Sequence, residues 1–137
     1  MSKNLWLNLP VKDLAKSREF FTRLGFAIND AHGQAGMVSL VVGEPGVIVN
    51  LFPESSFSRM AGGASFDPAK SCEIMISLGA DSREEVDELT RKAKAAGGTV
   101  FGEPTDVQGW MYGSGFTDPD GHRWNVLYMD MAQMPRG

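Results

Sequence analysis

The stretch "NLWLNLPVKDLAKSREFFTRLG", residues 4–25, decides the fold. It opens with strict alternation: Leu5, Leu7, Leu9 and Val11 share one parity, while Asn4, Trp6, Asn8 and Pro10 share the other. A period of two describes a strand with one face on a core. Asp13 then stands where a helix N-cap belongs, ahead of "LAKSREFFTRLG". That helix buries Leu14, Phe20 or Phe21, and Leu24, and Gly25 is its natural stop.

Short strands follow at "FAIND", "GMVSLVVG" and "GVIVNLFP", the last two joined by the turn "GEPG" at 43–46. Residues 53–70, "PESSFSRMAGGASFDPAK", read as a loop with Gly62 and Gly63 as a flexible point. A segment this long suits a lid or a dimer contact. Then the order restarts. "SCEIMISLG" alternates as a strand, and Ser82 with Glu85 forms a capping box for "REEVDELTRKAKAAGG", which ends at Gly97. "TVFGEP", "GWMYGSGFTD" and "HRWNVLYMD" supply three more strands. The chain therefore reads β-α-β-β-β, loop, β-α-β-β-β, a duplication of supersecondary structure. The fold class expected is α+β, with tandem modules forming a curved mixed sheet around a cavity and helices on the outer face. It is a single domain over residues 1–137, with module one at 4–52, the loop at 53–70 and module two at 71–130.

Strand parity selects the cavity residues. In the opening strands the apolar rows face the helices, leaving Trp6 and Asn8 in one module and Glu73, Met75 and Ser77 in the other on the helix-free face. In the closing strands Val47, Val49 and Leu51, and Trp124, Val126 and Tyr128, make the better core rows. The opposite rows carry Ile48, Asn50 and Phe52, and Arg123, Asn125, Leu127 and Met129. Trp6, Phe52, Trp110 and Tyr112 form a candidate aromatic lining. The glycines of "GWMYGSG" allow close approach of a ligand or partner strand, or mark a bulged edge strand.

Composition narrows the function classes. The 137 residues carry a net charge of −4, against a nucleic-acid or anionic-membrane partner, both of which call for a basic face. No apolar run reaches a membrane span, the N-terminus lacks a signal-peptide core, and the single cysteine excludes an internal disulfide, all as expected of a cytoplasmic protein. Cys72 shares parity with Ile74 and reads as a buried structural thiol.

"NLPVKDLAKSREFFTRLGF" and "GFTDPDGHRWNVLYMD", with the paired module order, resemble the vicinal oxygen chelate superfamily. That group contains glyoxalases (lactoylglutathione lyases), bleomycin-resistance proteins, extradiol dioxygenases and fosfomycin-resistance enzymes. The resemblance spans essentially the whole chain. It implies a homodimer and, in metal-dependent members, four cavity positions holding His or Glu. Carried onto this chain those positions are Trp6, Asn50, Glu73 and Asn125, the same residues that parity selects. Only Glu73 is a good ligand, so no metal cofactor is expected and the donor set of a dioxygenase is absent. His32 lies in a glycine-flanked loop and His122 in the "DPDGH" turn.

Glu73 is the candidate general base, with pairing to Arg123 as its plain structural alternative. The candidate ligand-binding residues are Trp6, Asn8, Asn50, Phe52, Met75, Trp110, Tyr112, Asn125 and Met129. The leading expectation is a metal-free cavity that binds a small apolar or aromatic molecule, as in the bleomycin-resistance branch. A glyoxalase-like lyase or isomerase using Glu73 as general base with an atypical or absent metal, and an interaction domain without ligand, are the alternatives.

Overall fold

The structure, a computed structural model, describes residues 5–29, 36–44, 46–62, 67, 70 and 74–133. Contacts divide the chain into two units, Met1–Asp67 and Pro68–Gly137. The first holds β1 (Trp6–Val11), α1 (Leu14–Leu24), β2 (Ala27–Ile28), β3 (Val38–Val42), β4 (Val47–Pro53) and α2 (Glu54–Ala61). The second holds β5 (Met75–Ala80), α3 (Arg83–Ala95), β6 (Thr99–Val107), β7 (Met111–Thr117) and β8 (Arg123–Met129). Each module builds its own four-stranded sheet, ordered β1-β4-β3-β2 and β5-β8-β7-β6. Opening and closing strands pair in parallel and the remaining neighbours pair antiparallel, so both sheets are mixed and the fold is α+β.

The helix signals act as their chemistry dictates. Asp13 accepts from the Lys16 backbone N–H at 3.1 Å, and Gly25 closes α1 in the left-handed region at φ 95°. Ser82 accepts from the Glu85 N–H at 3.0 Å, while the Glu85 carboxylate reaches back to the Asp81 N–H at 3.1 Å, one residue beyond the expected box. The segment expected as a loop from 53 contains instead the helix α2, Glu54–Ala61, which packs on β1 and β4. Its N-cap, Pro53, makes no side-chain bond, so the usual start signal is missing from the sequence.

The first module's core comprises Leu9, Val11, Phe20, Phe21, Leu24, Val38, Leu40, Val49 and Leu51, all buried. Val47, at the start of β4, is exposed rather than part of that row. In the second module Val86, Thr90 and Ala93 of α3 are buried, as are Phe116, Trp124 and Val126 of the sheet. The residues of β7 that point at α3 are fixed by hydrogen bonds. Ser114 Oγ lies 2.5 Å from Thr90 Oγ1, and the Tyr112 hydroxyl donates to Asp87 at 2.6 Å. The Arg83 guanidinium, at the start of α3, lies over the rings of both Tyr112 and Tyr128. The strand expected at 99–104 runs on to Val107 because its pairing with β7 is irregular between Val100 and Thr105. Register shifts of this kind carry a strand past a residue such as Pro104 that cannot serve the ladder.

The "DPDGH" turn is organised by one carboxylate. Asp118 Oδ1 accepts the backbone N–H groups of Asp120 and His122, each at 3.0 Å, and Oδ2 accepts the Trp124 indole N–H at 3.2 Å. Burial pushes the Asp118 carboxyl up to about 6, opposed by neighbouring His122 and by the Trp124 donor. The turn thereby fixes the start of β8, and with it which of its residues face away from α3.

Candidate functional site: the helix-free sheet faces

In the first module the face opposite the core carries Trp6, Asn8, Ile48, Asn50, Phe52 and Ser39, as parity requires. Ladder register aligns Asn8, Asn50 and Ser39 in one row across three strands. The Ser39 hydroxyl donates to Asn50 Oδ1 at 2.7 Å, and Asn50 Nδ2 donates to Asn8 Oδ1 at 3.2 Å. Both ends of the Asn50 amide are therefore engaged within the sheet. Phe52 is half-buried, two residues along the same face.

The second module repeats the row with different residues. Ser77, Asn125 and Gly115 align as Asn8, Asn50 and Ser39 do. Met75 is the register counterpart of Trp6, since each pairs with the residue two before the closing-strand asparagine. Glycine in place of serine removes the donor, and Asn125 Oδ1 is a buried acceptor without a hydrogen-bond partner among the described residues. Such groups are uncommon in folded proteins and call for an explanation.

Gly115 carries no side chain because another residue needs its space. A Cβ built there meets Cε1 and Cζ of the Phe101 ring at 2.5 Å. Gly113 is constrained in the same way: its Cβ would lie 2.5 Å from Leu127 Cδ2 and 2.9 Å from the Val126 carbonyl oxygen. Gly113 and Gly115 thus admit side chains of this chain itself, and β7 is an interior strand flanked by β8 and β6. The bulged edge strand is β6. Phe101 lies on it, and the Arg123 guanidinium sits 4.7 Å from the centre of its ring.

The sequence-derived candidates divide accordingly. Trp6, Asn8, Asn50 and Phe52 share the helix-free face of the first sheet, and Met75, Asn125 and Met129 that of the second. Tyr112 belongs to the other side of β7, where the Asp87 carboxylate holds its hydroxyl above the usual tyrosine range. It is not part of the aromatic lining expected with Trp6. Trp110 lies in the turn before β7, half-buried, with its backbone oxygen accepting from the Asp130 N–H at 2.7 Å. Its indole N–H is buried without a partner among the described residues. Glu73, Cys72 and His32 fall outside the described residues. Ser39 on the first sheet's face and Phe101 on the second's are not singled out by the sequence. Irregular pairing blurs the alternation around Phe101, and Ser39 is an ordinary serine until register places it beside Asn50.

Of the four positions that the resemblance implies for a metal, Glu73 lies outside the described residues, and the other three do not supply a donor set. Trp6 has no lone pair to offer, Asn50 Oδ1 already accepts from Ser39, and Asn125 contributes one neutral oxygen. Among the described residues no three His, Cys, Asp or Glu side chains come together. These donors do not fit a divalent cation, which wants imidazole, thiolate or several carboxylates. No helix among the described residues is long and apolar enough to cross a membrane.

Two tandem βαβββ modules, each with its own mixed four-stranded sheet, define the class of α+β fold. The family model of the Glyoxalase/Bleomycin resistance protein/Dioxygenase superfamily matches residues 4–126, and the chain belongs to that family. The hypothetical protein SA1046 from S. aureus is 40% identical over 93% of this chain and 95% of its own, with a TM-score of 0.83. The fosfomycin resistance protein FosX from Listeria monocytogenes is 21% identical over 96% of this chain and 97% of its own, with a TM-score of 0.67. Lactoylglutathione lyase from Agrobacterium tumefaciens is 18% identical over 98% of both chains, with a TM-score of 0.66. These last two share the fold. No curated protein matches the chain.

Proposed function

We propose that the protein binds a small apolar or aromatic molecule on its helix-free sheet faces, without a metal. One observation carries this reading: large apolar side chains stand exposed around the central amides. Trp6 is 60% exposed, Met75 49%, Phe101 46% and Met129 44%. Exposed apolar surface around a few fixed polar groups is the usual make-up of a small-molecule site. The two thioether side chains adapt to ligands of varied outline. The donor chemistry at Trp6, Asn50 and Asn125 supports the metal-free part of the reading.

Tryptophan fluorescence tests it. Trp6 is the exposed indole, whereas Trp110 is half-buried with its indole nitrogen covered and Trp124 is fully buried. A panel of planar and amphipathic compounds is expected to contain members that quench wild-type emission, and the quench should vanish in Trp6→Phe. Absence of any quench across the panel refutes binding on the first module's face. Elemental analysis of untagged protein is expected to find far less than one metal per chain. Stoichiometric tight metal refutes the metal-free reading.

A further inference from the structure

The centre of the second sheet is occupied by a group that does not satisfy it. The Phe101 ring packs against the Gly115 backbone, under the Arg123 guanidinium, and Gly115 pairs in register with Asn125, whose buried amide oxygen has no donor among the described residues. A phenyl ring fills the space and offers no N–H or O–H. The ring is also nearly half exposed, on the edge strand of the sheet.

We propose that this is an aromatic slot in which Phe101 is a placeholder, and that the ligand is an aromatic ring bearing a hydrogen-bond donor, of the phenol or indole type. The ligand ring takes the place of the Phe101 ring between Gly115 and Arg123, keeping the cation–π contact. Its O–H or N–H donates to Asn125 Oδ1. The proposal rests on the binding function above and adds to it the ligand's chemistry and the residues that select it.

The first module provides the internal control. Its amide, Asn50, occupies the equivalent register position, but Ser39 already donates to it at 2.7 Å. The second module has glycine where that serine stands, and glycine both removes the donor and makes room for the ring. The two changes have one consequence, an open acceptor beneath a displaceable ring. A merely structural asparagine would be expected to have found a partner.

The test uses the full chain and two probes that differ by one hydroxyl, para-cresol and toluene. In Phe101→Ala, which vacates the slot, para-cresol is expected to bind at least tenfold more tightly than toluene by calorimetric titration. In the double variant Phe101→Ala, Asn125→Leu the ratio should fall to near one. In the wild-type chain, the Asn125 side-chain amide resonances should shift with para-cresol and not with toluene, which keeps the test decisive should the variants fold poorly. A ratio near one in Phe101→Ala, or a tenfold ratio that survives Asn125→Leu, overturns the proposal. Failure here is separable from failure of the binding function. Trp6-dependent quenching by panel compounds together with a ratio near one removes the slot and leaves the binding function. A tenfold ratio with no quenching of Trp6 keeps the slot and removes the first module's face from the binding function.

Discussion

Replacing each central asparagine by leucine, a side chain of similar volume, should change stability in opposite directions in the two modules. Asn50→Leu removes a 2.7 Å bond from Ser39 and a 3.2 Å bond to Asn8. A typical intramolecular hydrogen bond contributes about 1 kcal/mol net, and both partners here reach water, so the expected loss is about 1–2 kcal/mol. Asn125→Leu removes an acceptor that is buried and has no partner among the described residues. Such a group costs roughly 1–3 kcal/mol, part of which is recovered when an apolar group replaces it, so a gain of about 1 kcal/mol is expected. For a chain of this length 1 kcal/mol corresponds to roughly 3–5 °C in Tm. Chemical denaturation of the two variants and the wild type, with unchanged m-values, is the appropriate assay. If Asn125→Leu destabilises as much as Asn50→Leu, the Asn125 oxygen has a partner in solution and the open acceptor does not exist.

Further expectations follow from neighbouring contacts. Gly113→Ala should destabilise by about 1–2 kcal/mol, because its Cβ meets the Val126 backbone oxygen at 2.9 Å; Gly115→Ala should cost less, since its clash is with a ring that can turn away. Equal thermal shifts for the two would contradict this. Thr90 Oγ1 donates to the Val86 oxygen at 2.6 Å, so Ser114 must supply the proton between the two hydroxyls. Thr90→Val then strands a buried hydroxyl and should cost roughly 1–3 kcal/mol, against about 1 kcal/mol for Ser114→Ala; the reverse order in denaturation would refute the assignment. Because burial raises the Asp118 carboxyl from 3.8 to about 6, its favourable contribution is present below pH 4 and lost as pH rises through about 6. Relative to Asp118→Asn, the wild-type chain should lose up to roughly 3 kcal/mol of stability between pH 4 and 6. A flat or rising difference would mean that His122 and the three N–H donors outweigh burial.

The module order, both main helices with their caps, and the facing of β1, β4 and β8 were legible in the sequence. Those segments are long and polar residues interrupt only one of their two parities, as Asn8 and Asn50 do. β7 could not be read that way. Its two rows, Tyr112, Ser114 and Phe116 against Met111, Gly113 and Gly115, differ too little in polarity to choose between them. What settles the choice is the contact between Ser114 and Thr90, a bond between residues 24 apart in sequence. The misplacement of Tyr112 follows directly from that. α2 escaped because "PESSFSRMA" lacks a capping side chain at its start and has no fully buried residue; its one end signal, Gly62 in the left-handed region, reads equally well as a flexible point in a loop. Phe101 escaped because register shifts in β6 break the rule of two on which the other site residues were found.

The two modules share topology and a central asparagine, and their difference in one small residue separates a structural amide from a recognising one. A ligand donor arriving at Asn50 must compete with Ser39 for the same oxygen, exchanging one bond for another with almost no net gain. At Asn125 it gains the bond outright and relieves a desolvated group. The difference is on the order of 1–2 kcal/mol, about tenfold in affinity or somewhat more. The fold can carry that unfavourable feature because the second module is secured elsewhere, by the Asp118 turn and by the α3 contacts through Thr90 and Asp87. Stability given up at one interior atom, in a sheet whose sister module avoids the same loss with a serine, is the pattern expected when that atom is kept open for a ligand.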